Sequence, residues 1–250
     1  MKKNVYVIGG SGLIGDSLVA QLSLNYNVLI LDKLKKKKLK KNFIYFDCSK
    51  LSNIKKKIHK IFKDYGHPDL MVNCSYPVTE DWVNNTFEEI EYNSFKKNIE
   101  IHLNSYCWIA KIFADYMKEK KKSCSIVLLS SIYGVVGQSF NNYKKTNMKF
   151  NMTYPIIKSG IIGFVKQSSS YYGNNNIRIN AVSPGAIKGH VKGSSNKQNI
   201  NFIKNFTSRV PLKRLAEADE VSKVIKFLLS DKASYISGQN IIVDGGYTAV

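Results

Sequence analysis

The sequence predicts an α/β fold: a single doubly wound parallel sheet of about seven strands with helices on both faces, built by residues 1–250 as one domain. Short apolar runs alternate with amphipathic stretches along the chain, the pattern of repeated strand–helix units. A glycine-rich turn, Gly9-Gly10-Ser11-Gly12-Leu13-Ile14-Gly15, follows the first apolar run and opens straight into a helical stretch. No internal repeat or Pro/Gly/Ser linker divides the 250 residues, and 44% apolar with 12% aromatic side chains suffices for one substantial core.

In order, strands are expected at Asn4–Ile8, Asn27–Asp32, Phe43–Asp47, Leu70–Cys74, Ser125–Ser130, Arg178–Ser183 and Asn240–Val243. They are short, mostly apolar and bounded by turn-forming residues, which suits a sheet covered on both faces. Helices are expected at Gly12–Leu24, Leu51–Tyr65, Asn93–Lys120, Pro155–Tyr172 and Ala218–Leu229. In the third, Ile101, Ser105, Trp108, Ile109, Ile112 and Met117 recur at helical spacing, a stripe that reads as core or subunit contact. Tyr133–Met152 and Ile187–Ile203 read as irregular insertions rich in Asn, Lys, Ser and Gly, and loops of that length in a compact domain often carry function. The run Leu34–Lys41 holds six lysines in eight residues and reads as a solvated turn after the second strand.

Thirty-eight Lys and Arg against eighteen Asp and Glu give a net charge of +20, which raises nucleic acid, anionic membranes and phosphorylated substrates as partners. Only three of the basic residues are arginine (Arg178, Arg209 and Arg214), and direct base reading favours arginine, so no specific nucleic-acid partner is expected. Twenty-four asparagines beside the lysines leave a second meaning open, the compositional drift of an A/T-rich gene filling solvated faces. Cys48, Cys74, Cys107 and Cys124 occur singly, without the close pairs of zinc sites, and read as small core or near-site residues in a reducing compartment, with no metal site expected. Glycines and Asp16 interrupt the N-terminal apolar stretch before any signal-peptide pattern completes, and no window approaches ~18 uninterrupted apolar residues. A cytoplasmic protein without a membrane span is the expectation.

The glycine turn points to a dinucleotide. Gly9, Gly12 and Gly15 allow a sharp turn and close backbone approach, Ser11, Leu13 and Ile14 complete the loop, and the helix N-terminus offers unpaired N–H groups to a pyrophosphate. Asp32, ending the second strand, suits an adenosine ribose 2'-hydroxyl and repels a 2'-phosphate, which favours NAD. Lys33 and the lysines after it could counter that repulsion, so NADP stays open, as does Asp32 as a plain turn-forming strand end. Tyr154 and Lys158 stand at i and i+4 at the start of a helix, where both could point into one cleft and the cation would favour phenolate. Y-x-x-x-K alone is weak in a chain with fifteen tyrosines, but it gains weight beside the glycine turn and Ser130-Ser131 at the end of a central strand.

Together these residues resemble the short-chain dehydrogenase/reductase family, over almost the whole chain. The resemblance implies a Rossmann-like sheet and hydride transfer between NAD(P) and a hydroxyl or keto carbon. It makes Tyr154 the acid/base, Lys158 the residue that lowers its pKa and holds ribose hydroxyls, and Ser131 the group that positions the substrate oxygen. Asp47 resembles the family's adenine-contacting Asp, with Cys48 beside it. Asn73 resembles the first residue of its NNAG stretch, here followed by Cys74 and Ser75. NAVSPG (Asn180–Gly185) resembles the segment beside the nicotinamide, which places Pro184, Gly185 and Ile187 at the cofactor. Val210-Pro211-Leu212 with Arg214, and Ser237-Gly238-Gln239 through Gly246, resemble the closing elements. A homotetramer or homodimer, built partly from the long helices around Trp108 and Phe164, is implied as well.

Departures from the family pattern bear on substrate. The glycine spacing resembles the extended sugar-nucleotide branch, although length and C-terminus resemble the shorter one. His102 stands where the family has an Asn supporting a water-borne proton relay, so a titratable relay member and a packed histidine are both open. Cys74-Ser75-Tyr76-Pro77 replaces the rest of NNAG, Gly189 stands where Thr is common, and the gap from Ser131 to Tyr154 is long. NCSYP, IHLN, SSIYGVVG with a loop containing TNM, and YYGNNNIRINAVSPG resemble a subgroup tied to legionaminic acid synthesis and flagellin glycosylation. A loop full of Asn, Ser and Lys suits hydroxyls and phosphates, or packs against a neighbouring subunit. The expected activity is therefore oxidoreduction of a polar or anionic sugar, free, phosphorylated or nucleotide-linked, in bacterial surface-glycan (nonulosonate-type) biosynthesis. The alternatives are a 3-ketoacyl-thioester reductase whose positive surface docks an acidic carrier, and a non-catalytic basic Rossmann binding protein.

Overall fold

The computed structural model describes residues 2–34, 42–189 and 198–250. These form the strands β1 (Asn4–Ile8), β2 (Asn27–Asp32), β3 (Phe43–Tyr45), β4 (Leu70–Asn73), β5 (Cys124–Leu129), β6 (Ile177–Pro184) and β7 (Asn240–Val243). All pair in parallel in one sheet of order β3-β2-β1-β4-β5-β6-β7. The helices are α1 (Leu13–Leu22), α2 (Ile54–Tyr65), α3 (Tyr92–Asn98), α4 (Ser105–Glu119), α5 (Phe140–Tyr143), α6 (Thr153–Tyr172), α7 (Ile200–Arg209) and α8 (Ala218–Leu229).

Strand alternation sends side chains to two separate cores. Tyr6 and Ile8 face one side, where Phe62 of α2, Phe113 of α4 and Ile161 of α6 cover them. Val5 and Val7 face the other, packed under Leu18 of α1 and Ile225 of α8. The doubly wound α/β sheet expected from the sequence is thus the fold observed, with α2, α4 and α6 on one face and α1 and α8 on the other.

Three elements differ from expectation. The third strand stops at Tyr45 because the Asp47 carboxylate accepts both the N–H and the O–H of Ser49, at 3.0 and 2.6 Å, and that local turn ends the ladder. The long central helix is not uniform: α3 and α4 are joined by a π-helical stretch, Ile99–Asn104, with Ile101 and His102 both buried. Apolar periodicity does not register one wider turn. The second expected insertion contains the start of α7, whose N-cap Asn199 accepts the N–H groups of Asn201 and Phe202 through its side chain. The first insertion stays irregular apart from a 3-10 turn at Ile132–Gly134 and the single turn of α5. Most of the lysine-rich run (residues 35–41) and residues 190–197 of the second insertion lie outside the described residues. Among the described residues, no helix is long and apolar enough to cross a membrane, and the four cysteines are free thiols.

Candidate active site

β1 lies between β2 and β4, and the chain leaves the C-terminal ends of β1 and β4 in different directions. The Gly9 N–H donates to Leu31 O at 2.9 Å and the Cys74 N–H to Ile8 O at 2.8 Å, so the glycine loop and the loop after β4 diverge there and open a crevice. Gly9 has φ +74°, and a Cβ on it would lie 2.5 Å from Ser75 N. A Cβ on Gly15 would lie 2.2 Å from Gly9 O, so the turn and the first turn of α1 fit together only without side chains. Gly12 begins α1 without a side-chain cap, which leaves the first helical amides to an outside anion. Asp32 clasps the loop, its carboxylate accepting the Ser11 N–H at 2.9 Å and the Leu34 N–H at 3.1 Å.

Two hollows meet along this crevice. The first, of about 380 Å³, is lined by Gly9, Ser11, Asp32 and Cys48 among others. The second, of about 270 Å³, includes Leu13, Ile14, Pro184, Gly185 and Ile187 in its lining. Gly12, Cys74, Ser75 and Tyr76 line both. The result is a trench with a helix N-terminus at its middle and a carboxylate at one end, which fits a dinucleotide. Asn73 and Asp47 lie behind this surface rather than in it: buried Asn73 accepts the N–H and O–H of Ser75, at 3.1 and 2.6 Å. Burial pushes the Asp47 carboxyl up, but Ser49 and Lys33 outweigh it and hold the group below its ordinary value.

The second hollow brings Ser131, Tyr154 and Lys158 to one wall. Ser131 follows β5 and caps the 3-10 turn through its hydroxyl, which accepts the Tyr133 N–H at 3.2 Å. Asn151 accepts the Tyr154 N–H at 2.7 Å and so fixes the first turn of α6. Lys158, four residues on, is almost wholly buried, and its ammonium donates to Leu129 O at 3.0 Å and meets His102 Nε2 at 3.4 Å. Burial holds the Lys158 amine down to about 7, with the Cys74 thiol opposing. It also pushes the Tyr154 phenol up to about 12, against a hydrogen bond from Ser131. The expected lowering of the phenol by Lys158 is not expressed here. The ammonium sits 5.6 Å from the Tyr154 ring centre, with its hydrogen bonds directed to Leu129 and His102.

His102 does not line the hollow. It is fully buried behind Tyr76, whose ring meets it edge-on at 5.3 Å, and against Tyr106 at 5.4 Å. Burial, and then Lys158, hold its pKa well below the ordinary value, so the ring is neutral; facing the Lys158 ammonium its Nε2 is the acceptor, and Nδ1 has no partner among the described residues. The histidine is packed and in contact with the lysine at once.

Sequence reasoning missed the aromatic enclosure of Tyr154. Tyr76, Trp82 and Tyr133 surround its ring with centroid separations of 6.0, 6.3 and 6.4 Å. Tyr76 stood out as a departure from NNAG, but no spacing rule says that its ring turns over the lysine. The insertion also behaves differently from the polar surface expected. Asn142 donates to Tyr247 Oη at 2.8 Å, while Asn205 and Asn201 donate to the carbonyls of Lys144 and Lys145 at 2.7 and 2.8 Å. Those amides tie the insertion to α7 and to the C-terminal turn, and the wall left facing the hollow is largely Ile132, Tyr133, Phe202 and Phe206.

A dinucleotide trench at the switch point of a parallel sheet, with Ser, Tyr and Lys side chains at its end, defines the class of nicotinamide-dependent oxidoreductases. The sequence model of a family described as enoyl-(acyl carrier protein) reductase matches residues 30–248. The chain belongs to the short-chain dehydrogenase/reductase family, the NAD(P)-dependent oxidoreductases expected from the sequence. It is 28% identical over 258 residues to post-translational flagellin modification protein A of Campylobacter coli, covering 98% of both chains. It is 30% identical over 254 residues to a 3-oxoacyl-(acyl-carrier-protein) reductase of Buchnera aphidicola, covering 98% of this chain and 97% of that one. Among solved structures, a short-chain dehydrogenase of Leptospira borgpetersenii with bound NAD+ superposes with a TM-score of 0.86 at 29% identity, over 99% of this chain and 93% of the other.

Proposed function

We propose that this chain interconverts a hydroxyl and a keto group on a sugar of bacterial surface-glycan biosynthesis, with Ser131, Tyr154, Lys158 and His102 managing the proton. The carrying observation is the convergence of Ser131, Tyr154 and Lys158 on one wall of the hollow that continues the trench. Gly9, Ser11, Gly12, Leu13, Ile14 and Gly15 would hold the pyrophosphate. Asp32 and Cys48 would serve the adenosine end, with Asp47 behind them holding Ser49. Cys74, Ser75, Pro184, Gly185 and Ile187, with Tyr154 and Lys158, would serve the nicotinamide end, with Asn73 behind them holding Ser75. When bound, the nicotinamide supplies or accepts the hydride. The Asp32 carboxylate at the end of the trench favours NAD over a 2'-phosphorylated cofactor.

Ser131 donates to the substrate oxygen and holds it against Tyr154. In the reducing direction the Tyr154 O–H, protonated at neutral pH, gives its proton to that oxygen as negative charge grows there; in the oxidising direction it takes the proton back. Lys158 has three donors, two of them committed to Leu129 O and His102, which leaves one to donate to a ribose hydroxyl or to return a proton to the Tyr154 phenolate after reduction. Neutral His102 accepts from Lys158 and forms the inner end of that relay.

Full-length similarity to the flagellin modification protein supports the sugar reading. Among the described residues lining the hollow, Lys158 is the sole cation, so the reacting end suits an uncharged sugar ring. A second reading, reduction of a 3-ketoacyl thioester, is favoured by the apolar Ile132, Phe202 and Phe206 wall and by the 3-oxoacyl reductase relatives. Oxidation of NADH and NADPH against ketosugars, sugar phosphates, sugar nucleotides and acetoacetyl thioesters separates the two. Turnover of a sugar that Tyr154→Phe abolishes is the expected result, and turnover of thioesters alone would reverse the ranking. In the same assay His102→Phe lowers kcat and moves its pH profile, whereas unchanged kinetics would remove His102 from the relay.

A further inference from the structure

We infer that Tyr133 is a specificity-determining residue, presenting its phenol hydrogen to a second oxygen on the carbon next to the reacting one, and that the C-terminal Tyr247 positions it through Asn142. The proposal rests on the hydride-transfer reading for one thing, the placement of the reacting carbon at Tyr154. Tyr133 lines the hollow, its ring centre 6.4 Å from that of Tyr154. Its hydroxyl is already an acceptor twice over, from Asn142 Nδ2 at 3.2 Å and from the Tyr143 O–H at 3.5 Å. Tyr143 in turn accepts from Gln138 Nε2 at 2.8 Å, which leaves its proton for Tyr133. With both acceptor positions of the Tyr133 oxygen taken, its own O–H is the remaining function, and no described residue accepts it.

The amide that sets this orientation is held from below. Asn142 is completely buried and donates to Tyr247 Oη at 2.8 Å, while Arg209 donates to the same oxygen at 3.0 Å. The Tyr247 ring is stacked on Phe206 at 4.7 Å and 8° and lies under the Arg209 guanidinium. The C-terminal turn, the insertion and α7 therefore meet at Asn142, and the position of the Tyr133 hydroxyl follows from that junction. A donor at the wall of a largely apolar hollow discriminates by what it leaves unpaired: a substrate with an oxygen beside the reacting carbon satisfies it, and one without does not.

The test uses acetoin, a ketone with a neighbouring hydroxyl, and butan-2-one, the same skeleton without it. Both are assayed on the full chain by NADH or NADPH oxidation and, in parallel, by quenching of bound-cofactor fluorescence, which needs no turnover. The expected result is a preference for acetoin that falls roughly tenfold in Tyr133→Phe, through KM or binding, with butan-2-one and cofactor affinity unchanged. Tyr247→Phe keeps the stack on Phe206 and loses the hydroxyl, so it produces a smaller loss in the same direction. Equal binding of the two ketones by the native protein, or an equal loss for both in Tyr133→Phe, would overturn the proposal. If neither ketone is reduced but acetoin still binds better and Tyr133→Phe removes the difference, the assignment of Tyr133 stands while the redox reading falls.

Discussion

Lys158 shows how burial and chemistry are tied in one side chain. An amine held down to about 7 penalises the folded state wherever it is protonated. The sign follows from linkage: below about pH 7 both folded and unfolded chains carry the proton and the penalty is complete. Between there and about 10.5 the folded chain has released it while the unfolded chain has not, so stability rises with pH across that window. Lys158→Met without cofactor should therefore be more stable than the native chain at pH 6, with the gain shrinking towards pH 10. Urea midpoints at pH 6, 8 and 10 check this, and a constant difference would mean that the ammonium is not desolvated as its surroundings indicate. A cationic lysine retained at that cost is consistent with a role that stability does not select.

The glycine loop and α1 form a unit whose fit is backbone on backbone. Gly15→Ala places a methyl 2.2 Å from Gly9 O, with no flexible side chain to give way. The loop must shift, which should cost about 1–3 kcal/mol in stability. Cofactor affinity should drop by more than tenfold, read by NADH fluorescence titration; native affinity would show that the loop tolerates the displacement. The π-helical stretch between α3 and α4 does similar work for His102, carrying it to Lys158 from a helix whose apolar stripe otherwise packs as core. Close packing repeats where the Ile132–Gly134 turn meets α6: a Cβ on Gly134 would lie 2.8 Å from the Lys158 carbonyl carbon, so the turn carrying Tyr133 and the helix carrying Lys158 are fixed together.

For the molecule as a whole, the outer face of α4 leaves Trp108 about half exposed, at 48%, and α6 leaves Tyr171 at 59%. Apolar surface of this kind on the two long helices, with the family's assembly habit, leads to an expected homodimer or homotetramer. Light scattering at micromolar concentration checks it, and Trp108→Glu should shift the population towards the monomer. A native monomer would count against the expectation. The net charge of +20 is a separate property of the surface. Within the hollow the described cation is Lys158 alone, so whatever the lysines attract, the wall beside Tyr154 is not built from them.

The strands, the cofactor turn and the Ser131, Tyr154 and Lys158 set were legible in the sequence because each rests on local spacing. Short apolar runs and helical patterns mark β1 to β7 and the long helices, glycines mark a turn that tolerates no side chain, and i,i+4 places Tyr154 and Lys158 on one helix face. Tertiary structure alone decided what surrounds them. Tyr76 and Trp82 from the connection after β4, and Tyr133 from the turn after β5, reach Tyr154 on α6, and His102 reaches Lys158 through a turn that periodicity does not register. The asparagines of the insertion looked solvent-facing by composition, yet Asn142 is buried, with its amide nitrogen donating to Tyr247, 105 residues further on. Local sequence dictates which backbone conformations are cheap, whereas the direction and protonation of a buried polar group depend on partners that only the closed fold brings within reach.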